Sequence, residues 1–287
     1  MSRKQSLPHR IRYELSKMIR YGESKHQSKI EENTIAPKGI FSYSTYKDYL
    51  KHCVAFGKWC QKEYGVRNPK TAKKYVDEYL QKCLDKGLSP STLKLKRSAL
   101  AKLFGISGKD FGVAIPDRRR RDIVRSRKAP DPKIEARNKD IVDFIKGTGL
   151  RREELLAVTA RDIKDIGGHL LVNVIKGKGG KFRYARVLPK YESYIKRLRE
   201  KHISEGRENE RLFEDIPKRL EAHHYRGDYA KALYSIIARD VKSIPPKERY
   251  CMRGDRKGEV LDKVAMYVVS RNLGHNRIDV IAGHYLY

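Results

Sequence analysis

The chain has 287 residues, and its 65 Lys+Arg against 35 Asp+Glu give a formal net charge of +30. This length suffices for one large domain or two ordinary ones. Hydrophobic residues make up 39%, which is typical of a folded soluble chain and excludes a disordered basic tail. The mean hydropathy is −0.72, and no segment approaches the roughly 18 apolar residues of a membrane helix. The charge surplus predicts a polyanionic partner, with nucleic acid favoured over a membrane surface.

The N-terminus and the cysteines both indicate a cytoplasmic protein. Residues 1–5 carry charges with no apolar segment behind them, so no secretory signal is expected. Four cysteines without Cys-x-x-Cys spacing are too few for a disulfide scaffold in a chain of this length. The sequence therefore predicts reduced thiols in the cytoplasm. The cysteines are Cys53, Cys60, Cys83 and Cys251.

The N-terminal part of the chain divides into a basic segment and a periodic one. Residues 1–41 are basic and weakly patterned, and we interpret them as an N-terminal arm with one short helix near Ile11 to Ile19. From Ser42, which with Ser44 is a candidate N-cap, apolar residues recur at helical spacing. Three such runs predict that residues 42–106 form a small all-helical domain.

Residues 107–132 are rich in Gly, Pro and charge, and they predict a basic linker. The run Arg118 to Arg121 is followed by Arg125, Arg127 and Lys128. A block of like charge cannot pack on itself, but it can lie along phosphates. A merely solvated linker is the alternative, and contact with DNA or RNA is favoured in a chain this basic.

The C-terminal part, residues 133–287, has mixed patterning. Two β runs, 169–175 and 182–188, surround a turn rich in Gly and Lys and predict a β-hairpin. Helices are predicted around 138–146, from Arg152, and over 191–201, 221–239 and 261–272. The segment 243–259 is a Pro, Gly and charge-rich insertion without a functional interpretation.

Several residues in this part could carry chemistry, although each alone is more often a solvated surface group. Arg151 lies where a turn enters a helix, and Lys178 and Lys181 lie in the hairpin turn. His223 and Arg226 are three apart, so both project from one helical face. The tripeptide Leu273-Gly274-His275 is followed ten residues after its histidine by Tyr285.

The order of these motifs resembles that of the tyrosine recombinases, the phage-type and conjugative-element integrase family. Thr148-Gly149-Leu150-Arg151 with Glu154 is similar to the first arginine motif, and Gly177-Lys178-Gly179 to the hairpin lysine. His223-His224-Tyr225-Arg226 is similar to the His-x-x-Arg helix, and Leu273-Gly274-His275 to the final histidine motif before the nucleophilic tyrosine. The resemblance extends over residues 42–287.

The resemblance implies a mainly α fold with a small β-hairpin or sheet, arranged as a two-domain clamp on double-stranded DNA. Residues 42–106 would be the helical core-binding domain, and residues 133–287 the mixed α/β catalytic domain. It further implies a homo-oligomer, a tetramer on paired sites, that acts in mobile-element integration or excision or in replicon resolution. No membrane partner and no cofactor or metal are implied.

The implied reaction cleaves and rejoins DNA through a 3′-phosphotyrosine. Arg151 and Arg226 would bind the non-bridging oxygens, because guanidiniums form bidentate hydrogen bonds with phosphate. Tyr285 would be the nucleophile. Lys178 would protonate the leaving 5′-oxygen, while His223 and His275 would transfer protons or hydrogen-bond the phosphate.

The spacing of the tyrosine leaves alternatives open. In the family the tyrosine usually follows the histidine by nine residues, but Tyr285 is at ten and Tyr287 at twelve. One residue on a helix is a rotation of about 100°, so a backbone adjustment is needed, and Gly283 is the candidate to supply it. Other functions stay open: an architectural DNA-binding protein that has lost cleavage, a type IB topoisomerase, and an RNA-binding protein.

Overall fold

The structure is a computed structural model that describes residues 5–117, 129–175, 177 and 182–286. The chain divides into two units, Met1–Arg118 and Arg119–Tyr287. Within the described ranges, no helix is both long enough and apolar enough to cross a membrane. The charged part of the predicted linker, residues 118–128, lies outside the described residues.

The first unit is built from helices whose ends follow the caps in the sequence. The Ser42 side chain accepts a hydrogen bond from the Thr45 backbone N–H, and Ser89 does the same for Thr92, so both serines begin a helix. Between the two candidates Ser42 and Ser44, the cap is Ser42. The helices are α1 Leu7–Ser16, α2 Lys25–Glu31, α3 Tyr43–Tyr64, α4 Pro69–Ala72, α5 Val76–Asp85 and α6 Pro90–Phe104.

Helix α1 belongs to the core of this unit, so the prediction of an N-terminal arm is wrong for this segment. Leu7, Ile11 and Leu15 are fully buried and pack in the same apolar cluster as residues of α3, α5 and α6. The contact with α3 needs a glycine: a Cβ on Gly57 would lie 2.6 Å from Ile11 Cδ1. Three apolar residues, each four positions from the next, form one buried stripe along the helix. Because basic residues surround them, the composition of the segment does not reveal this stripe.

The second unit combines helices with two antiparallel sheets. Its first sheet has the strand order β1 (Ile163–Ile166), β2 (His169–Val174) and β3 (Arg183–Arg186), with Val172 paired to both Ile163 and Ala185. The predicted hairpin corresponds to β2 and β3, and β1 is an additional strand that the sequence pattern did not indicate. The strands are β1 Ile163–Ile166, β2 His169–Val174, β3 Arg183–Arg186, β4 Arg249–Cys251 and β5 Val260–Asp262. The helices are α7 Pro132–Arg137, α8 Lys139–Thr148, α9 Arg152–Leu155, α10 Pro189–Ser204, α11 Ala222–Ile237, α12 Lys263–Asn272 and α13 Asp279–His284.

Two apolar clusters hold the second unit together. One joins α8, the three-stranded sheet and α10, and the other joins α11, α12 and α13. Gly149 ends α8 in the left-handed conformation, with φ +65°, and a Cβ there would lie 2.3 Å from Tyr229 Cδ1. Because only glycine tolerates both conditions, the chain can turn tightly against α11 just before Arg151.

The insertion at 243–259 contributes most of a two-stranded hairpin. Strands β4 and β5 pair antiparallel, with Arg249 opposite Asp262. The fully buried Asp262 accepts from the Arg239 guanidinium and caps α12 at Val264. Hydrogen bonds from Arg239 lower the pKa of Asp262 although burial opposes them. The hairpin, residues 249–262, is thereby fixed to the end of α11 and the start of α12.

We expect Ile11→Ala to destabilise the first unit by about 2–5 kcal/mol, because the change leaves a cavity between α1 and α3. Trp59, the one tryptophan of the chain, lies on α3 and reports urea unfolding by fluorescence. The control Arg12→Ala removes an exposed side chain from the same helix and should change the free energy of unfolding by less than about 0.5 kcal/mol. Equal small effects from both variants would restore the interpretation of residues 1–41 as an arm.

Candidate active site

Arg151 is held at the start of α9 by Glu154. The Arg151 N–H donates to Glu154 Oε2 at 2.7 Å, and Arg151 Nη1 donates to Glu154 Oε1 at 2.8 Å. The carboxylate therefore satisfies an otherwise unpaired N–H of the helix start and orients the guanidinium. The other end of that guanidinium, Nη2, donates to the Leu273 carbonyl at 2.9 Å.

Arg183 is a site residue that the sequence did not single out. Its Nη1 and Nη2 donate to the two carboxylate oxygens of Glu154 at 2.8 and 2.7 Å, and its Nε donates to the Asn272 carbonyl at 2.7 Å. Burial raises the pKa of the Glu154 carboxyl, but the hydrogen bonds and charge of Arg183, assisted by Arg151, outweigh it and lower the pKa to about 2. Glu154 is thus a buried anion between two guanidiniums. Nothing local in the sequence marks Arg183, because its partners are 29 and 89 residues away.

Arg226 reaches the same carbonyl from α11. Its Nη2 donates to Leu273 O and its Nη1 to Gly149 O, so one oxygen accepts from both Arg151 and Arg226. Arg226 is only 1% exposed. Burial lowers its pKa, and the nearby charge of Arg151 acts in the same direction. The site therefore holds two like charges close together inside the protein.

Tyr285 completes this group from the end of α13. Its hydroxyl oxygen accepts from Arg226 Nε at 3.3 Å and lies 3.3 Å from His275 Nε2. The tyrosine is the residue just after the last turn, with φ −123° and ψ −40°, so it leaves the helical direction there. The predicted role of Gly283 is wrong: it lies inside α13 and is absent from the positive-φ residues of the described chain. Tyr285 itself, and not Gly283, departs from helical backbone angles.

The imidazole rings of two histidines lie close to the tyrosine ring. The ring centroids of His223 and His275 are each 5.6 Å from that of Tyr285. His223, in the first turn of α11, is exposed. Both histidines border a cleft of about 1020 Å³ whose walls also include Arg151, Arg226 and Tyr285. Five of the six residues that the sequence singled out as catalytic thus surround one cleft.

Lys178, the sixth, and Tyr287, the rival nucleophile, lie outside the described residues. The neighbouring Gly177 is described and lines the same cleft. Across the described part of the chain, no three His, Cys, Asp or Glu side chains are grouped as ligands for a metal ion.

The fold is similar to that of solved recombinase structures, at low sequence identity. No protein-family model matches the chain, and no curated protein matches it in sequence. A crystal structure of the XerH site-specific recombinase bound to palindromic difH substrate, a post-cleavage complex, aligns with a TM-score of 0.55 at 17% identity over 98% of this chain and 91% of that one. The XerH pre-cleavage complex with difH substrate aligns with a TM-score of 0.55 at 18% identity over 97% and 90%. At this identity the similarity shows the fold alone, and it confirms the predicted mainly α fold with small antiparallel sheets.

We expect Glu154→Gln to destabilise the protein by about 3–5 kcal/mol at neutral pH, because it leaves the buried Arg183 without a counter-charge. The lowered pKa means that ionised Glu154 stabilises the fold above its unfolded pKa, and that this contribution is lost as pH falls toward 2. The difference in unfolding free energy between wild type and variant should therefore narrow by roughly half between pH 7 and about pH 3.

Circular dichroism during urea unfolding measures both quantities. The control Glu153→Gln removes the same charge from an exposed neighbour and should leave stability unchanged at both pH values. A difference between wild type and Glu154→Gln that does not depend on pH would contradict the ionised-carboxylate assignment.

Proposed function

We propose that the protein is a site-specific DNA recombinase or integrase that cleaves and rejoins strands through a covalent 3′-phosphotyrosine at Tyr285. The observation that carries this proposal is the contact of the Tyr285 hydroxyl with both Arg226 and His275, 3.3 Å from each. A phenol beside a guanidinium and an imidazole, in a cleft that also presents Arg151, suits attack on an anionic phosphodiester.

In the proposed reaction the Tyr285 oxygen bonds to the scissile phosphorus and the 5′-oxygen leaves. The new phosphotyrosyl ester keeps the energy of the broken ester, so rejoining needs no external energy source. Arg151 and Arg226 stabilise the charge that grows on the non-bridging oxygens. His275 or His223 accepts the phenol proton, and Lys178 is proposed to protonate the departing 5′-oxygen.

The positions of the two arginines support their proposed role. Leu273 O accepts from a nitrogen of each guanidinium, which fixes them on the same side of the site before any substrate binds. Three contacts of Arg226, to Gly149, Leu273 and Tyr285, use three of the five N–H groups of a guanidinium. The remaining N–H groups are proposed to bind phosphate from the cleft that Arg226 lines.

The wider function is proposed on charge and fold together. A net charge of +30 favours double-stranded DNA as the substrate, since phosphate contacts dominate such affinity. We propose that both units contact the duplex as a clamp, that a homo-oligomer, a tetramer, joins paired sites, and that the protein acts in the cytoplasm. The biological role is mobile-element integration or excision, or replicon resolution.

One observation favours the recombinase over the architectural alternative. That alternative required the tyrosine to face away from the arginines because of its ten-residue offset. The contact of Tyr285 with Arg226 instead favours a cleaving enzyme. A type IB topoisomerase would need the same side chains, so the distinction is made by whether strand exchange between two sites occurs.

Wild-type protein should form a denaturation-resistant adduct with nicked duplex DNA, because the nick lets the 5′-terminated strand diffuse away after attack. Tyr285→Phe should abolish the adduct, since phenylalanine has no nucleophile. The assay is gel electrophoresis in detergent with a pool of nicked duplexes of randomised sequence. Tyr287→Phe is the control, and an adduct that disappears only in that variant would transfer the role of nucleophile to Tyr287.

Arg151→Ala should reduce cleavage by at least about 100-fold, because it removes a donor aimed at the transition state. DNA affinity should fall by no more than about threefold, since one phosphate contact is a small part of many. Glu154 keeps Arg183 as a partner, so the variant should fold.

The matched control is Arg161→Ala, which removes an exposed arginine. Adduct formation and filter-binding affinity measured on the same substrate separate the two effects. Parallel losses of affinity and cleavage in Arg151→Ala would count against a role in the chemical step.

A further inference from the structure

The insertion at 243–259, which has no functional interpretation from its sequence, contacts α13, the helix that ends just before Tyr285. The turn of its hairpin, between β4 and β5, contains Arg256, whose side chain is 13% exposed. Arg256 Nη1 donates to the Ala282 carbonyl in the last turn of α13 at 2.8 Å. A residue 26 positions before Ala282 therefore binds the backbone three residues before the tyrosine.

Arg256 is itself held in place by Glu259. Its Nε donates to Glu259 Oε1 at 2.8 Å, and its Nη2 donates to Oε2 of the same carboxylate. A bidentate pair fixes the plane of a guanidinium, so the remaining Nη1 is aimed in a defined direction. The Met252 N–H donates to the Glu259 carbonyl at 2.9 Å and closes the hairpin turn that contains Arg256.

The Ala282 carbonyl needs an outside donor because of the way α13 ends. In a continuing helix the Leu286 N–H would donate to Ala282, but it donates to Ile281 at 3.0 Å instead. That same departure turns Tyr285 out of the helical direction. Arg256 supplies the missing donor, and its positive charge also suits the negative end of the helix. Helix α13 has six residues and is too short to be stable without such contacts.

We propose that Arg256 is a positioning residue that fixes the end of α13 in the register that directs Tyr285 toward Arg226 and His275. The inference rests on the proposed function for its effect on cleavage, while the contact itself can be tested without DNA. The role of the hairpin is then to hold Arg256, whose side chain compensates for the ten-residue spacing between His275 and Tyr285.

The first experiment is hydrogen–deuterium exchange of the full-length chain without DNA. In Arg256→Ala the amides of residues 279–286 should exchange at least about tenfold faster than in wild type, because the last turn loses its tether. Arg253→Ala, which removes an exposed arginine from the same hairpin, is the charge-matched control and should leave exchange unchanged. Equal exchange in Arg256→Ala and wild type would overturn the inference, whatever the protein does to DNA.

The second experiment measures single-turnover adduct formation at saturating nicked DNA. Arg256→Ala should slow it by about 10- to 100-fold, as expected for a misplaced nucleophile, with the DNA dissociation constant within about twofold of wild type. Arg256→Lys, which keeps a cationic donor for Ala282, should recover part of the rate. A loss of affinity in place of rate, or no recovery by lysine, would contradict positioning.

A modified substrate distinguishes attack from departure of the leaving group. Sulfur in place of the bridging 5′-oxygen leaves without protonation, because thiols are far more acidic than alcohols. Arg256→Ala should remain slow on this substrate, and full recovery would overturn the assignment to the nucleophile. If wild type forms no adduct on any substrate, the proposed function fails, and the exchange experiment alone decides the contact between Arg256 and α13.

Discussion

The Leu273 carbonyl, which accepts from Arg151 and from Arg226, is the interaction on which the site depends. It holds two guanidiniums together that would otherwise repel each other. Arg183 adds a third cation, which is buried, and Glu154 is the carboxylate that contacts Arg151 and Arg183. Three cations around one anion leave this cluster with an excess of positive charge in a poorly solvated place. A phosphodiester is a ligand that would balance that excess, which is the physical reason for proposing phosphate chemistry in the cleft.

The need to hold these like charges close together explains why residues from many elements of the second unit form the site. Arg151 precedes α9, Arg183 lies on β3, and Arg226 lies on α11. The shared carbonyl follows α12. Because the three arginines and the shared carbonyl come from separate elements, the site forms only when these helices and the first sheet have packed together. The packing of these elements leaves Arg226 only 1% exposed. This burial disfavours the charged form of its guanidinium.

The sequence predicts the parts of this arrangement that have local signatures. Capping serines, apolar periodicity and motif order indicate the helices, the hairpin and five cleft residues. Arg183 and Arg256 have no such signature, because each acts through a partner brought close only by folding. The burial of α1 was not predicted because its three core residues lie among exposed charges, and β1 was missed because four residues are too short for a clear period. The direction of the Tyr285 side chain could not be predicted either, because it depends on the residue at which α13 ends and not on residue spacing.

The residue at which α13 ends determines the direction of the Tyr285 side chain. A helix of six residues can stop at several positions with little difference in free energy, so its own sequence does not fix the tyrosine. Contacts from outside choose among those endings: Ala282 and Ile281 pack in the apolar cluster with α11 and α12, Arg256 binds the Ala282 carbonyl, and Arg226 binds the tyrosine hydroxyl. Together these contacts specify one register. A chain with a ten-residue offset can therefore present its tyrosine to the arginines, because tertiary contacts and not helical geometry set the final orientation.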